Sequence, residues 1–514
     1  MTAAALVRRL DDLCNPIVVK ELRQATKSWV VTIALLLFLL LQLGILLFIL
    51  LLDAPRRGNP VNLHAGRQIF EVLQGILLGT CMVLIPTYAG VRLAAEHSDT
   101  NVDLLFISTL RPRAIIAGKF QASVVLILLI FSASAPFMTF TYLLRGIDIP
   151  TILFVLGVDF LAVLLATQVA IFLGAAPTNW GLKVLLGIVE LGVQGGLFGI
   201  AMAYSMTLLE LGLGGRMDTV DFWLITGAVV TAVAALLGLL FCWSVAVVSP
   251  SSANRALLVR LYLLGAWLVT AGVAAFLAWR FQSSIPLQIW MLPTAVLLCV
   301  QILTSINERE QCGPRVARTI PRHGWLRGPA FLVYSGAAGG LIFSAVLLAV
   351  TIAVPGFILW HESDPYGPIA RFEIAIGRRN VVVMALIALY TFDYSMTAVF
   401  LRSVFLRGRV RPLYTWVIAV LLFGLGFALP YPLLFLFQNE ELRTGQVNPW
   451  CQISNPLATI FEYTDRGTRW WKDFHTGALV FLSIWAVLAL LLCLPWIVRQ
   501  ARRFRPPERV TVAE

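Results

Sequence analysis

The sequence predicts an all-α, polytopic integral membrane helical bundle of about twelve transmembrane helices with both termini cytoplasmic. Three observations predict it. Of 514 residues, 59% are hydrophobic and only 13% charged, against roughly 25% charged in an ordinary soluble domain. Polar side chains are therefore too few to cover a water-facing surface. The apolar residues fall into runs of about 20 or more, the length that crosses the hydrocarbon layer. The basic residues gather beside alternate runs, the asymmetry that orients a polytopic chain. With a mean hydropathy of +0.85, the chain is neither disordered nor a secreted disulfide scaffold. The net charge of +12 is read as basic flanks of cytoplasmic span ends, so no nucleic-acid partner is expected. The seven cysteines are scattered and show no CxxC spacing, which points to no metal site.

Residues 1–28 form an amphipathic cytoplasmic N-terminal helix. Leu6, Leu10, Leu13 and Ile17 recur at helical spacing, and Val18, Leu22 and Ala25 continue the stripe after Asn15-Pro16. Arg8, Arg9, Lys20, Arg23 and Lys27 supply a polar side suited to the headgroup layer. Twelve apolar runs follow, at about 29–52, 69–93, 119–143, 150–174, 182–207, 222–249, 257–280, 285–306, 329–359, 380–402, 412–438 and 474–498. The long run 329–359 is expected to tilt or kink at Pro355. The chain thus divides into a first six-span half, 29–256, with a loop at 94–119; a second six-span half, 257–498; and a basic cytoplasmic tail, 499–514. Dense basic clusters at the N-terminus, at 309–327, at 402–411 and at 499–509 all fall on one side, which places both termini inside. The largest outer loop, about 439–473, carries the interface-type aromatics Trp450, Trp470 and Trp471.

The segment Glu96–Lys119 is the most informative. A polar start from Asp99 leads to the apolar Leu104-Leu105-Phe106-Ile107. A turn follows over Ser108–Arg111, and Pro112 then suits the first position of a new helix. A loop with a small apolar ridge is suited to docking a cytoplasmic partner, and equally to lying on lipid. In this register, Glu96, Asp103, Leu104, Leu105, Ser108, Leu110, Pro112, Arg113, Ile115, Gly118 and Lys119 resemble the cytoplasmic loop of ABC-2 type exporter permeases, in a twelve-span bacterial variant. Asn15-Pro16 through Lys20-Glu21-Leu22-Arg23-Gln24, and Ser249–Arg255, also resemble segments of that family. The resemblance covers about residues 10–260. Thr109 and Arg111 stand where the family favours Pro and Ser.

The resemblance implies a transmembrane permease subunit of an ATP-driven exporter in the bacterial inner (cytoplasmic) membrane, moving a substrate the sequence does not identify. No G-x-x-x-x-G-K-[ST] phosphate cradle occurs. No cofactor is therefore expected on this chain; ATP and Mg belong to a separate ABC ATPase subunit. Glu96–Lys119 would be the coupling loop carrying the ATPases' closure to the spans. Leu104, Leu105 and Ile115 would fill a groove on that partner, and Arg113 would position the loop. Membrane lipid is the other expected partner. A basic segment again follows the second span of the second half, at Asn307–Arg322. A degenerate repeat would make one chain a pseudo-dimer; otherwise two chains would pair as a homodimer.

Polar groups at span depth mark the rival reading. Asp159, Glu190 and Asp393 lie mid-span, with Gln168, Gln194 and Gln301 as neutral company. A proton-coupled secondary transporter would need such carboxylates; buried, hydrogen-bonded structural groups are the alternative. Gly192, Gly195, Gly196 and Gly199 on the fifth span, and Gly336 and Gly340 on the ninth, have spacing for close helix contact. The chain is not expected to be an enzyme. Its five histidines form no HExxH, and no G-x-S-x-G elbow is present. His361 with Glu362 and Asp364 is the nearest approach to a catalytic cluster.

Overall fold

The computed structural model describes residues 15–52, 65–96, 111–144, 147–176, 180–211, 217–250, 252–310, 312–361, 368–406, 412–430, 432, 453–465 and 472–506. Their regular structure is all helical, with no strand among the described residues. Eleven helices are long and apolar enough to cross a membrane. The chain is therefore a multi-pass helical membrane protein. It divides into two compact units, Met1–Pro250 and Ser251–Glu514.

The first unit contains α1 (Pro16–Thr26), α2 (Trp29–Leu52), α3 (Ala65–Glu96), α4 (Pro112–Leu143), α5 (Ile149–Gly174), α6 (Trp180–Leu211) and α7 (Val220–Val248). Asn15 caps α1 by accepting from the Ile17 amide, with Pro16 in the first turn, where the missing N–H costs nothing. Pro112 likewise opens α4 and Pro150 opens α5. On α2, Phe38, Gln42 and Leu46 are buried, while Leu36, Leu37, Leu40, Leu41 and Leu43 are exposed. The four-residue spacing makes one packed stripe; the other leucines form a lipid-facing surface. The unit is built around α3 and α5. α3 packs on α2, α4, α5 and α6; α5 packs on α3, α4, α6 and α7. α1 lies against α4.

The second unit contains α8 (Arg255–Phe281), α9 (Ile285–Ser305), α10 (Pro314–Ala317), α11 (Gly324–Val333), α12 (Ala337–His361), α13 (Pro368–Phe400), α14 (Thr415–Ala428), α15 (Pro456–Asp465) and α16 (Lys472–Arg503). Gln282 closes α8 in a left-handed conformation, φ 50°, and α9 begins three residues later. Around α9 and α13, the packed pairs repeat those of the first unit when spans are matched in order. The second span contacts the first, third and fourth; the fourth contacts the third, fifth and sixth; the third contacts the sixth. The first unit's additional pairs, α2 with α4 and α3 with α6, have no counterpart of similar extent.

Three differences from the sequence expectation stand out. The run 329–359 is two helices, α11 and α12, broken at Tyr334–Gly336. The break folds the last carbonyls of α11 onto Arg260, as described below. The run 412–438 gives a 14-residue α14, shorter than a span; residues 433–452 lie outside the described residues. Part of the supposed outer loop, 453–465, docks on α13: Tyr390 Oη donates to the Ile453 carbonyl and Tyr394 Oη to that of Ser454, both at 2.6 Å.

Candidate functional site: the ionic node at the roots of the Glu96–Lys119 loop

Glu96 ends α3 and Lys119 lies in the second turn of α4, so the loop is anchored on two spans. The Lys119 ammonium sits 2.9 Å from Glu21 Oε1 on α1 and 2.9 Å from Glu96 Oε2 on α3. Arg92 Nε lies 3.7 Å from Glu21 Oε2, and Lys20 Nζ 3.6 Å from Glu96 Oε1. Arg92 also donates to Tyr88 and to Gln24. Lys119 is 5% exposed and Glu21 8%. Charges this dry are held only when paired and hydrogen-bonded, and here each has an opposite charge within reach.

A second contact locks α1 onto α4. Asn15 Nδ2 donates to the Ala114 carbonyl at 2.6 Å. A Cβ on Gly118 would lie 2.8 Å from Ile17 Cβ, so the backbone approach there requires glycine. Of the residues singled out for this loop, Glu96, Gly118 and Lys119 come together in the node. Ile115 is buried at 6% exposure and so faces the bundle rather than open space. Pro112 and Arg113 stand at the accessible start of α4. Asp103, Leu104, Leu105, Ser108 and Leu110 lie outside the described residues. Sequence reasoning missed Arg92, and it noted Glu21 only as part of the family-like stretch Lys20–Gln24, not as a partner of the loop. Glu21 sits among basic neighbours that make α1 read as a purely basic flank; its spacing three residues after Val18 and four before Ala25, on the apolar stripe, was the available signal.

The second unit carries a related node. Asn254 caps α8 by accepting from Leu257 N, and accepts from both the Ser335 amide and hydroxyl at 3.0 and 2.8 Å. Six residues later, as Glu21 follows Asn15, stands the fully buried Arg260. It donates to Glu308 at 2.5 Å and to the carbonyls of Leu332 and Tyr334 at 3.0 and 2.5 Å. Glu308 Oε2 accepts from Gly336 N at 2.8 Å. A Cβ on Gly340 would overlap the Arg260 guanidinium. The position six residues after the capping asparagine is acidic in the first node and basic in the second, whereas a glutamate stands at or just past the end of the second span in both. Beyond it, Arg402 in a π-helical turn pairs with Glu310, which also accepts from Trp496 Nε1 at 2.9 Å.

Each intramembrane carboxylate has its own surroundings. Asp159 on α5 accepts from Gln74 Nε2 of α3 at 2.9 Å, joining the two central helices. Glu190 on α6 accepts from Gln194, one turn on, at 3.0 Å. Asp393 on α13 is fully buried and neither carboxylate oxygen has a hydrogen-bond partner among the described residues. Gln168 donates to Ser244 of α7 at 3.2 Å. The sequence reading passed over Gln42, whose buried amide has no hydrogen-bond partner among the described residues. On the fifth span, nothing within the described chain approaches Gly192, Gly195, Gly196 or Gly199. Their stripe therefore makes no close helix contact there; of the ninth-span pair, only Gly340 does. Among the described residues no three His, Cys, Asp or Glu side chains converge on a point where a metal could bind. Comparison with protein-family models, with curated proteins and with solved structures finds no match to this chain.

Proposed function

We propose that the chain is the permease subunit of an ATP-driven exporter in the bacterial cytoplasmic membrane, similar to the ABC-2 type, with ATP and Mg held by a separate ATPase subunit. The carrying observation is the node itself: α1, α3 and α4 are clamped by Glu21, Arg92, Glu96 and Lys119 where the Glu96–Lys119 loop leaves and re-enters the bundle. A segment clamped at both roots passes a push on it to α3 and α4 together, as rigid-body switching requires. The repeated helix-packing order and the Asn-anchored nodes support a duplicated permease, one chain supplying both halves. The test is Leu105→Asp within the Glu96–Lys119 segment. Partner co-purification is lost while the thermal midpoint holds; retention at wild-type yield would defeat the docking model.

The second reading, proton-coupled transport, is favoured by one observation: a buried Asp393 with no hydrogen-bond partner among the described residues. Uptake or efflux driven by a pH gradient in ATPase-free proteoliposomes, abolished by Asp393→Asn, would establish it in place of the first.

A further inference from the structure

The second unit holds a cavity of about 230 Å³ between the C-terminal end of α16, the start of α12 and the segment following Glu310. That is many times the ~10–15 Å³ that one buried water occupies. One wall is apolar, formed by Ile320, Phe331 and Phe504, the two phenylalanines packed edge to face at 5.6 Å. The other is polar, formed by the buried Gln500, the exposed Arg503 and Arg505, and the Glu310 carboxylate.

The orientation of Gln500 is fixed by chemistry. Its Oε1 accepts from the Ala338 amide at 3.1 Å, so the other end must be the NH2 group. That Nε2 is buried and unpartnered, on a side chain only 7% exposed. A buried donor without an acceptor is costly, and native structures rarely leave one. Arg503 and Arg505 have no acidic partner among the described residues; the lining carboxylate, Glu310, is engaged by Arg402 and Trp496, and Glu308 by Arg260. The cavity thus offers uncompensated positive charge that outweighs the partial negative charge of the α16 terminus. It wants an acceptor with several oxygens. Burial pushes the Cys312 thiol up, so that lining group adds no competing negative charge.

We propose that this cavity binds a phosphate group carried by an anionic phospholipid headgroup. Gln500 Nε2 and the Arg503 and Arg505 guanidinium groups donate to its oxygens. Guanidinium groups match phosphate geometry and form the stronger, charge-assisted bonds. The apolar wall accommodates the glycerol end, and a basic pocket at a span terminus lies at headgroup level.

The test uses the full-length protein in detergent, titrated with short-chain phosphatidylglycerol, with bound molecules counted by native mass spectrometry. One saturable molecule is expected. R503Q/R505Q should weaken it by more than about tenfold, since two charge-assisted bonds are lost. The control R499Q/R502Q, on the same helix end but outside the cavity, should leave it unchanged. Gln500→Glu keeps the acceptor for Ala338, so α12 stays anchored, and replaces the free donor with a carboxylate; it should abolish binding. Competition by inorganic phosphate at comparable concentration would keep the site but assign it to free phosphate; its absence assigns it to lipid. Equal binding in wild type and R503Q/R505Q, or equal loss in R499Q/R502Q, would overturn the proposal.

Discussion

Replacing Lys119 by Met keeps most of the unbranched apolar stem and removes the ammonium with its charge and hydrogen bonds. Glu21 and Glu96 then lose the ammonium that lies 2.9 Å from each. Breaking a buried ion pair from one side costs about 3–5 kcal/mol, because a charge is left uncompensated. The lower end applies here. Glu21 keeps Arg92 at 3.7 Å and Glu96 keeps Lys20 at 3.6 Å. A loss of about 3 kcal/mol corresponds to roughly 150-fold in the equilibrium docking α1 on α4. Hydrogen–deuterium exchange reads that equilibrium directly. The amides of α1 after Pro16 should exchange up to ~150-fold faster in Lys119→Met, while those of α5 stay as in wild type. The double variant Glu21→Gln/Lys119→Met removes the stranded charge and should recover much of the protection, since losing both partners of a buried pair costs less than losing one. Unchanged protection in Lys119→Met, or a double variant worse than the single, would refute the reasoning.

Gly118→Ala should loosen the same contact, because its Cβ would stand 2.8 Å from Ile17 Cβ; overpacking of this kind costs about 1–3 kcal/mol. Adding Ile17→Ala removes the Cγ2 contact at 2.9 Å but keeps the Cβ, so it should restore little of the thermal midpoint followed by tryptophan fluorescence. Asp159→Leu leaves the Gln74 amide buried with neither end bonded, a loss of about 1–3 kcal/mol. Asp159→Asn keeps an acceptor and should lie much closer to wild type in the same melt. Arg402→Met strands Glu310 with Trp496 alone. Glu310 is 35% open to solvent, so the cost should be about 2 kcal/mol, below that of a fully buried pair. A larger loss in chemical denaturation than for Lys119→Met would contradict that ranking.

The spans were legible because burial in lipid demands long apolar runs, and eleven of them are helices of spanning length. Pro112 announced the start of α4 because its fixed φ and missing N–H suit a first turn. Asp159, Glu190 and Asp393 were legible as buried polar groups from their apolar surroundings alone, and all three are buried. Their partners were not. Gln74 and Asp159 are 85 residues apart, and Glu21 and Lys119 are 98 apart, distances at which no local pattern operates. The break at Tyr334–Gly336 was hidden for a related reason. Its residues are apolar or small enough to continue a span, and what stops the helix is Arg260, 74 residues earlier, drawing on the Tyr334 carbonyl. The fifth-span glycines illustrate the converse: a contact motif read from spacing specifies no neighbour, and within the described chain none is there.

The central claim is that this chain is driven by a separate ATPase through the Glu96–Lys119 loop. The most direct measurement is to purify the tagged protein in mild detergent and assay what accompanies it for ATP hydrolysis. Wild type is compared with a variant whose residues 97–110 are replaced by a Gly-Ser linker. The account predicts a co-purifying subunit with a phosphate-cradle motif, whose hydrolysis in the complex depends on the native loop. Recovery of no such subunit, under conditions that preserve a known permease–ATPase complex, would contradict it.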